Sequence, residues 1–120
     1  IACGVSAGGL CWFERGITDS YGPGLNPLDI GLGFLPGSFC PHYDSDPRRL
    51  LAYREYVRST GAPGLAVDDG VALHYVDGRL VRAVSSRPSA VAYQSRDAMS
   101  RPHAPPLTPR APACRRPLRS

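Results

Sequence analysis

Apolar positions along this chain fall in short runs broken by glycine, proline and polar residues, the pattern of a small mixed α/β body. Ile1 to Val5 reads as a buried strand and Ala7 to Glu14 as a short helix. A Gly/Pro-rich loop, Gly16 to Gly24, follows. Leu32 to Leu35 is an apolar run, Pro36-Gly37 a turn, and Ser38 to Cys40 a short strand closed by Pro41-His42-Tyr43. Asp46 suits a helix cap and Pro47 the first helical position, where its missing N–H costs nothing. That helix runs to about Ser59, with Leu50, Leu51, Tyr53 and Val57 as its apolar stripe and Gly61 as its stop. Gly64 to Val67 reads as a strand. Val71 to Val76 and Arg79 to Ser85 are β-rich, and the two-residue link Asp77-Gly78 makes them a hairpin. Val91 to Gln94 adds one more strand.

Charge divides the chain in two. All 14 basic residues are arginine. Ile1 to Ser95 holds 8 Arg against 9 acids, whereas Arg96 to Ser120 holds 6 Arg against Asp97 alone. The high pI therefore belongs to the tail, and the near-neutral body offers no basic surface for nucleic acid. Six prolines in the tail, with almost no apolar periodicity, predict a disordered segment at 96–120 beside a single folded unit at 1–95. Cys3, Cys11, Cys40 and Cys114 show neither a C-x-x-C pair nor zinc spacing. Cys3 and Cys40 sit in apolar runs and read as buried free thiols, which suits a reducing cytoplasm. No apolar stretch approaches the roughly 20 residues that span a bilayer, so no membrane partner is expected.

The chemistry starts at Gly4-Val5-Ser6-Ala7-Gly8, a G-x-S-x-G pattern between a strand-like and a helix-like segment. A nucleophilic serine must stand clear of its own backbone, so such a turn is tight and its flanking residues are small. The turn also aims backbone N–H groups, here that of Ala7, at a developing oxyanion. The alternative is a plain strand-to-helix turn. The pattern stands at the very start of a chain that opens with Ile rather than Met, so the chain is expected to be the C-terminal part of a longer protein.

A serine nucleophile needs a base and the base an orienting acid. His42 lies at a strand-to-loop transition, where a side chain can face a cleft, and is favoured as the base. His74 lies inside the hairpin strand and alternates with Leu73 and Tyr75, as a solvent-facing residue does. Two acids compete for the third place. Asp19 is flanked by Thr18 and Ser20, whose hydroxyls suit a held carboxylate; Glu14 lies near the expected helix end. A plain turn-forming role remains open for Asp19.

The segments Gly4 to Glu14, Gly16-Ile17-Thr18-Asp19-Ser20 and Leu35 to Tyr43 resemble the peptidase E (aspartyl dipeptidase) family of serine peptidases. Val67-Asp68-Asp69-Gly70-Val71-Ala72-Leu73-His74 and Val84-Ser85-Ser86-Arg87-Pro88 extend the likeness, which covers Ile1 to about Tyr93; cyanophycinase is a more distant relative. The resemblance implies an α/β protein: a partial three-layer α/β/α fold of the class I glutamine-amidotransferase-like (flavodoxin-like) kind, lacking its N-terminal half and carrying a C-terminal β-hairpin. It also implies a cytoplasmic enzyme that cleaves dipeptides with N-terminal aspartate, uses no cofactor or metal, and takes a small peptide as its partner.

By the same resemblance the nucleophile falls on Ser6, the base on His42, the triad acid on Asp19 and an oxyanion donor on Ala7. Arg48 and Arg49 match an arginine that reads the substrate's acidic side chain, a task suited to the guanidinium fork. Asp68 and Asp69 either receive the substrate's amino group, brace the site or form a tight turn. The absent N-terminal half and the Arg/Pro-rich ending point to a gene fragment or truncated product. Competing readings are an inactive remnant of such a peptidase, a cyanophycinase-like enzyme or esterase on the same elbow, and an Arg-rich binding module.

Overall fold

The computed structural model describes residues 1–95 and 106–107. The expected disorder of 96–120 lies outside the described residues, apart from the two that form the last strand. The elements run α1 (Ala7–Leu10), β1 (Phe13–Thr18), β2 (Asn26–Leu28), β3 (Leu35–Cys40), α2 (Pro47–Thr60), β4 (Gly64–Val67), β5 (Val71–Val76), β6 (Arg79–Ser85), β7 (Ala92–Ser95) and β8 (Pro106–Leu107). Six strands form one sheet in the order β2-β1-β3-β4-β7-β8, and β5 and β6 form a separate two-stranded sheet. β1, β3 and β4 are mutually parallel, while β2 and β7 join antiparallel at either side. The architecture is mixed α/β.

Two apolar clusters flank the large sheet. On one side α2 sets Tyr53, Tyr56 and Val57 against Ile17, Cys40, Tyr43 and Ala66. In the other, Leu10 of α1 and Ala83 of the hairpin join Phe13, Phe39, Val67 and Ala92. Neighbouring residues of β3 serve opposite clusters, Phe39 stacking on Phe13 at 4.7 Å and Cys40 facing the tyrosines. This is the period-2 alternation of a strand covered on both faces. Tyr53 ties the layers together, its hydroxyl meeting Ser38 Oγ at 2.8 Å and donating toward the Leu65 carbonyl at 3.2 Å.

Helix α2 forms as its sequence dictates. The Asp46 carboxylate accepts the Arg48 N–H at 2.9 Å, Pro47 opens the helix, and Gly61 ends it in the left-handed conformation. Its buried stripe differs from the expected one: Arg49, Tyr53, Tyr56 and Val57 face inward, whereas Leu51 is exposed. A charged residue replaces a leucine on the inner face because that end of the helix overlooks a polar cavity. The hairpin also forms as expected, with Asp77 at φ 50° and Gly78 at φ 74°, the positive values that a tight two-residue turn requires.

The first thirty residues depart from the sequence expectation. Ile1 to Val5 is exposed and not a strand; it has no pairing partner among the described residues. Helix α1 stops at Leu10 instead of reaching Glu14, since Gly8 and Gly9 weaken it and Phe13 is drawn into the sheet. The supposed Gly/Pro loop begins three residues later than expected. Gly16 to Thr18 are strand residues, and a Cβ on Gly16 would lie 2.2 Å from the Phe39 carbonyl oxygen. Here glycine marks a close approach of two strands rather than a turn.

Candidate active site

The parallel strands carry the site at their carboxyl ends. Asp19 follows β1, His42 follows β3 and Asp69 follows β4. Because Phe39 pairs with Leu65 and Cys40 with Ala66, the loops after β3 and β4 leave the sheet side by side. Such crevices beyond parallel strand ends are where open α/β sheets bind ligands.

Ser6 caps α1 at φ 55° and ψ −123°, a conformation that an L-residue adopts under strain. The Ser6 carbonyl accepts the N–H groups of Gly9 and Leu10 at 3.0 and 2.9 Å, which tightens the turn. Of the two motif glycines only Gly4 is sterically required: a Cβ there would fall 1.8 Å from the Gly8 carbonyl oxygen, while one on Gly8 meets nothing within 4 Å. The backbone thus doubles back on itself and presents the serine, as a nucleophile elbow does. The N–H of Ala7 begins α1, where the first amides lack intrahelical partners.

Ser6, Ala7, Asp19, His42 and Arg49 line one cavity of about 150 Å³. His42 also has a positive φ, 72°, and its backbone is pinned on both sides. The Ser45 hydroxyl donates to the His42 carbonyl at 2.7 Å, and the Tyr43 N–H donates to the Val67 carbonyl at 2.9 Å. The imidazole Nδ1 meets Asp69 Oδ1 at 2.5 Å. Asp69 is therefore the carboxylate on the His42 imidazole, in the place expected for Asp19.

Asp19 engages Arg49 instead, accepting from Nη2 at 2.8 Å. Arg49 is 7 % exposed and Asp19 67 %. The Arg49 Nε has no partner among the described residues. A buried cation that lines a cavity is equipped to receive an anion.

The remaining candidates lie elsewhere. Arg48 projects into solvent and forms an ion pair with Asp46 at 2.8 Å, so of the two arginines only Arg49 reaches the cavity. Glu14 accepts the Gly37 N–H at 2.8 Å, holding the irregular start of the β1–β3 pairing rather than the His42 imidazole. Asp68 is buried, and its Oδ2 accepts the Val91 N–H at 2.9 Å, which braces β4 against the chain entering β7. Burial pushes its carboxyl above the usual aspartate range against the opposing pull of that N–H. His74 is exposed on β5, as expected, and accepts from Arg82 Nε at 3.2 Å. Burial lifts the Cys40 thiol to about 12, an inert packed thiol. Cys3, expected to be buried, is exposed with the rest of the opening segment.

Sequence reasoning missed the pairing of His42 with Asp69. The signal was present in topology: two strands that are parallel neighbours place the residues just beyond their carboxyl ends next to each other.

A serine on a strained turn, an imidazole with a carboxylate behind it and a buried arginine thus surround one cavity. The family model for peptidase family S51 matches residues 1–83, and the chain belongs to that family. It is 50% identical over 95 residues to the protein called "uncharacterized peptidase YgaJ" of Bacillus subtilis (strain 168). That match covers 78% of this chain and 40% of the relative, so the chain spans less than half of the relative's length. No solved structure matches the chain. Among the described residues no helix is long and apolar enough to cross a membrane.

Proposed function

We propose that the chain carries the site of a serine-type peptidase that cleaves small peptides with an N-terminal aspartate, through an acyl-enzyme. The observation that carries this reading is the single cavity shared by Ser6, His42 and the buried Arg49, with Asp69 on the far nitrogen of the imidazole. His42 takes the Ser6 proton as Oγ attacks the scissile carbonyl, and returns it to the leaving amine; water then releases the acyl group with His42 again as base. Asp69 holds the tautomer in which Nδ1 bears the proton. The Ala7 N–H donates to the oxyanion. Arg49 grips the aspartate carboxylate, and the exposed side of Asp19, beside it, receives the substrate's free ammonium.

The parallel core with helices and a hairpin on its faces supports reading the sheet as part of a flavodoxin-like three-layer fold, with 1–95 as one catalytic unit. Three free cysteines, Cys3, Cys11 and Cys40, support a reducing, cytoplasmic setting. The test is hydrolysis of an aspartyl dipeptide by the purified chain beside Ser6→Ala, with β-aspartyl-arginine polymer and short acyl esters as competing substrates. Cleavage of the dipeptide, abolished in the variant, is the expected result.

A further inference from the structure

The Asp69 carboxylate can orient His42 only if its own backbone is fixed, and two residues outside the cavity fix it. Asp44 lies two residues beyond His42. Its Oδ1 accepts the Asp69 N–H at 2.8 Å and its Oδ2 accepts from Arg87 Nη1 at 3.1 Å. The same Nη1 donates to the Asp69 carbonyl at 3.1 Å. Both polar groups of the Asp69 main chain are thus held from one side. The next residue is held as well, the Gly70 carbonyl accepting the Ser86 N–H at 2.9 Å. Ser85 shapes the donor segment, its Oγ accepting the Arg87 N–H at 3.1 Å and donating to the Arg87 carbonyl at 2.6 Å. The clamp therefore joins three chain ends: the loop after β3, the loop after β4 and the exit of the hairpin.

Stability does not account for this arrangement. The Arg87 side chain is 48% exposed and that of Asp44 30%, and ion pairs at that exposure add little to folding. What the clamp adds is direction at a bond where a small displacement matters.

We propose that Asp44 and Arg87 are positioning residues that lock the Asp69 turn, keep its carboxylate on His42 Nδ1, and so leave Nε2 as the nitrogen that accepts the Ser6 proton. This rests on the reading of Ser6 and His42 as nucleophile and base, and the test separates the two. Full-length Arg87→Ala, Arg87→Lys and Asp44→Asn are compared with Arg58→Ala, which removes an exposed helix charge paired, among the described residues, with Glu55. The nitrogen resonances of the His42 imidazole report its tautomer, and turnover of an aspartyl dipeptide reports catalysis.

Arg87→Ala is expected to mix the tautomers and to lower kcat by about tenfold to a hundredfold, the usual cost of a slightly misplaced catalytic group. KM is expected to stay within about twofold, since substrate contacts are untouched. Added guanidinium ion restores part of the rate, Arg87→Lys keeps more of it than the alanine variant, and Arg58→Ala matches wild type. A folded Arg87→Ala with unchanged tautomer and unchanged kcat overturns the proposal. A rate lost in step with melting temperature, with the tautomer intact and no guanidinium rescue, also overturns it. A tautomer shift in a chain that cleaves no peptide leaves the clamp standing and removes the peptidase reading alone.

Discussion

Arg49 and Asp19 meet at 2.8 Å across the mouth of the cavity, one nearly buried and the other mostly in solvent. Asp19, expected on the imidazole, is taken up by the guanidinium instead. Asp69 attends the imidazole, and Asp19 attends the guanidinium. Among the described residues, Arg49 makes its one side-chain ion pair through Nη2, so the cation is only partly satisfied by the protein. On the proposed function a substrate carboxylate adds to that pair from the cavity side.

Replacing Arg49 by methionine therefore tests recognition more than folding. The partner left behind, Asp19, is exposed and stays hydrated, so the stability change is small. Aspartyl dipeptides are expected to lose about a hundredfold or more in kcat/KM, mainly through KM, because a desolvated charge pair to substrate is lost. Alanyl dipeptides, which the proposed specificity disfavours, are expected to gain relative to aspartyl ones. Steady-state kinetics on both substrates decide it; an equal loss on both would mean that Arg49 reads no side chain.

Asp69→Asn and Asp19→Asn separate the two carboxylates directly. The asparagine at 69 presents an amide where the imidazole needs an acceptor, favours the wrong tautomer, and is expected to lower kcat by about four orders of magnitude. The asparagine at 19 leaves the imidazole alone and is expected to raise KM with a modest change in kcat. The opposite pattern would return the orienting role to Asp19.

Much of this was legible in the sequence, and the exceptions share a cause. The capped helix α2, the Asp77-Gly78 hairpin and the exposure of His74 follow from local rules of caps, turns and alternation. The elbow at Ser6 is also local. What local rules miss is contact between neighbouring strands. Gly16 looked like a loop residue because its reason for being glycine, the backbone of β3, lies 23 residues away at Phe39. Asp19 looked like the acid because Thr18 and Ser20 flank it with hydroxyls, whereas Asp69 is near His42 only through the pairing of β3 with β4. Arg48 and Arg49 stood as equal candidates on a first helical turn, and only the cavity beneath Arg49 separates them.

Asp68 gives a pH test of stability that does not involve catalysis. Burial raises its carboxyl above the ordinary aspartate value, so in the window between the two the native state holds more protons than the unfolded chain. Stability contributed by this group therefore falls as pH rises through that window and stays lower at neutral pH. Asp68→Asn retains an oxygen for the Val91 N–H and removes the charge. At neutral pH its melting temperature is expected to equal or exceed that of wild type, and the difference is expected to vanish on acidification toward about pH 4. A variant that is less stable at neutral pH than wild type, with the gap closing in acid, would show that Asp68 is stabilising as an anion.

The strained turn at Ser6 predicts opposed effects on stability and activity. A φ of 55° with ψ of −123° is unfavourable for any residue with a Cβ and costs on the order of 1–3 kcal/mol. Glycine adopts it freely, although its greater freedom in the unfolded chain offsets part of the gain. Ser6→Gly is therefore expected to be more stable than wild type by about 1 kcal/mol, a rise of several degrees in melting temperature for a body of this size. Ser6→Ala keeps the Cβ and hence the strain, so its melting temperature should match wild type. Both variants lose the hydroxyl and with it the hydrolysis. Thermal melts of the three proteins decide the matter. If glycine is no more stable than alanine at this position, the turn is relaxed, and presentation of the serine rests on the close backbone approach at Gly4 alone.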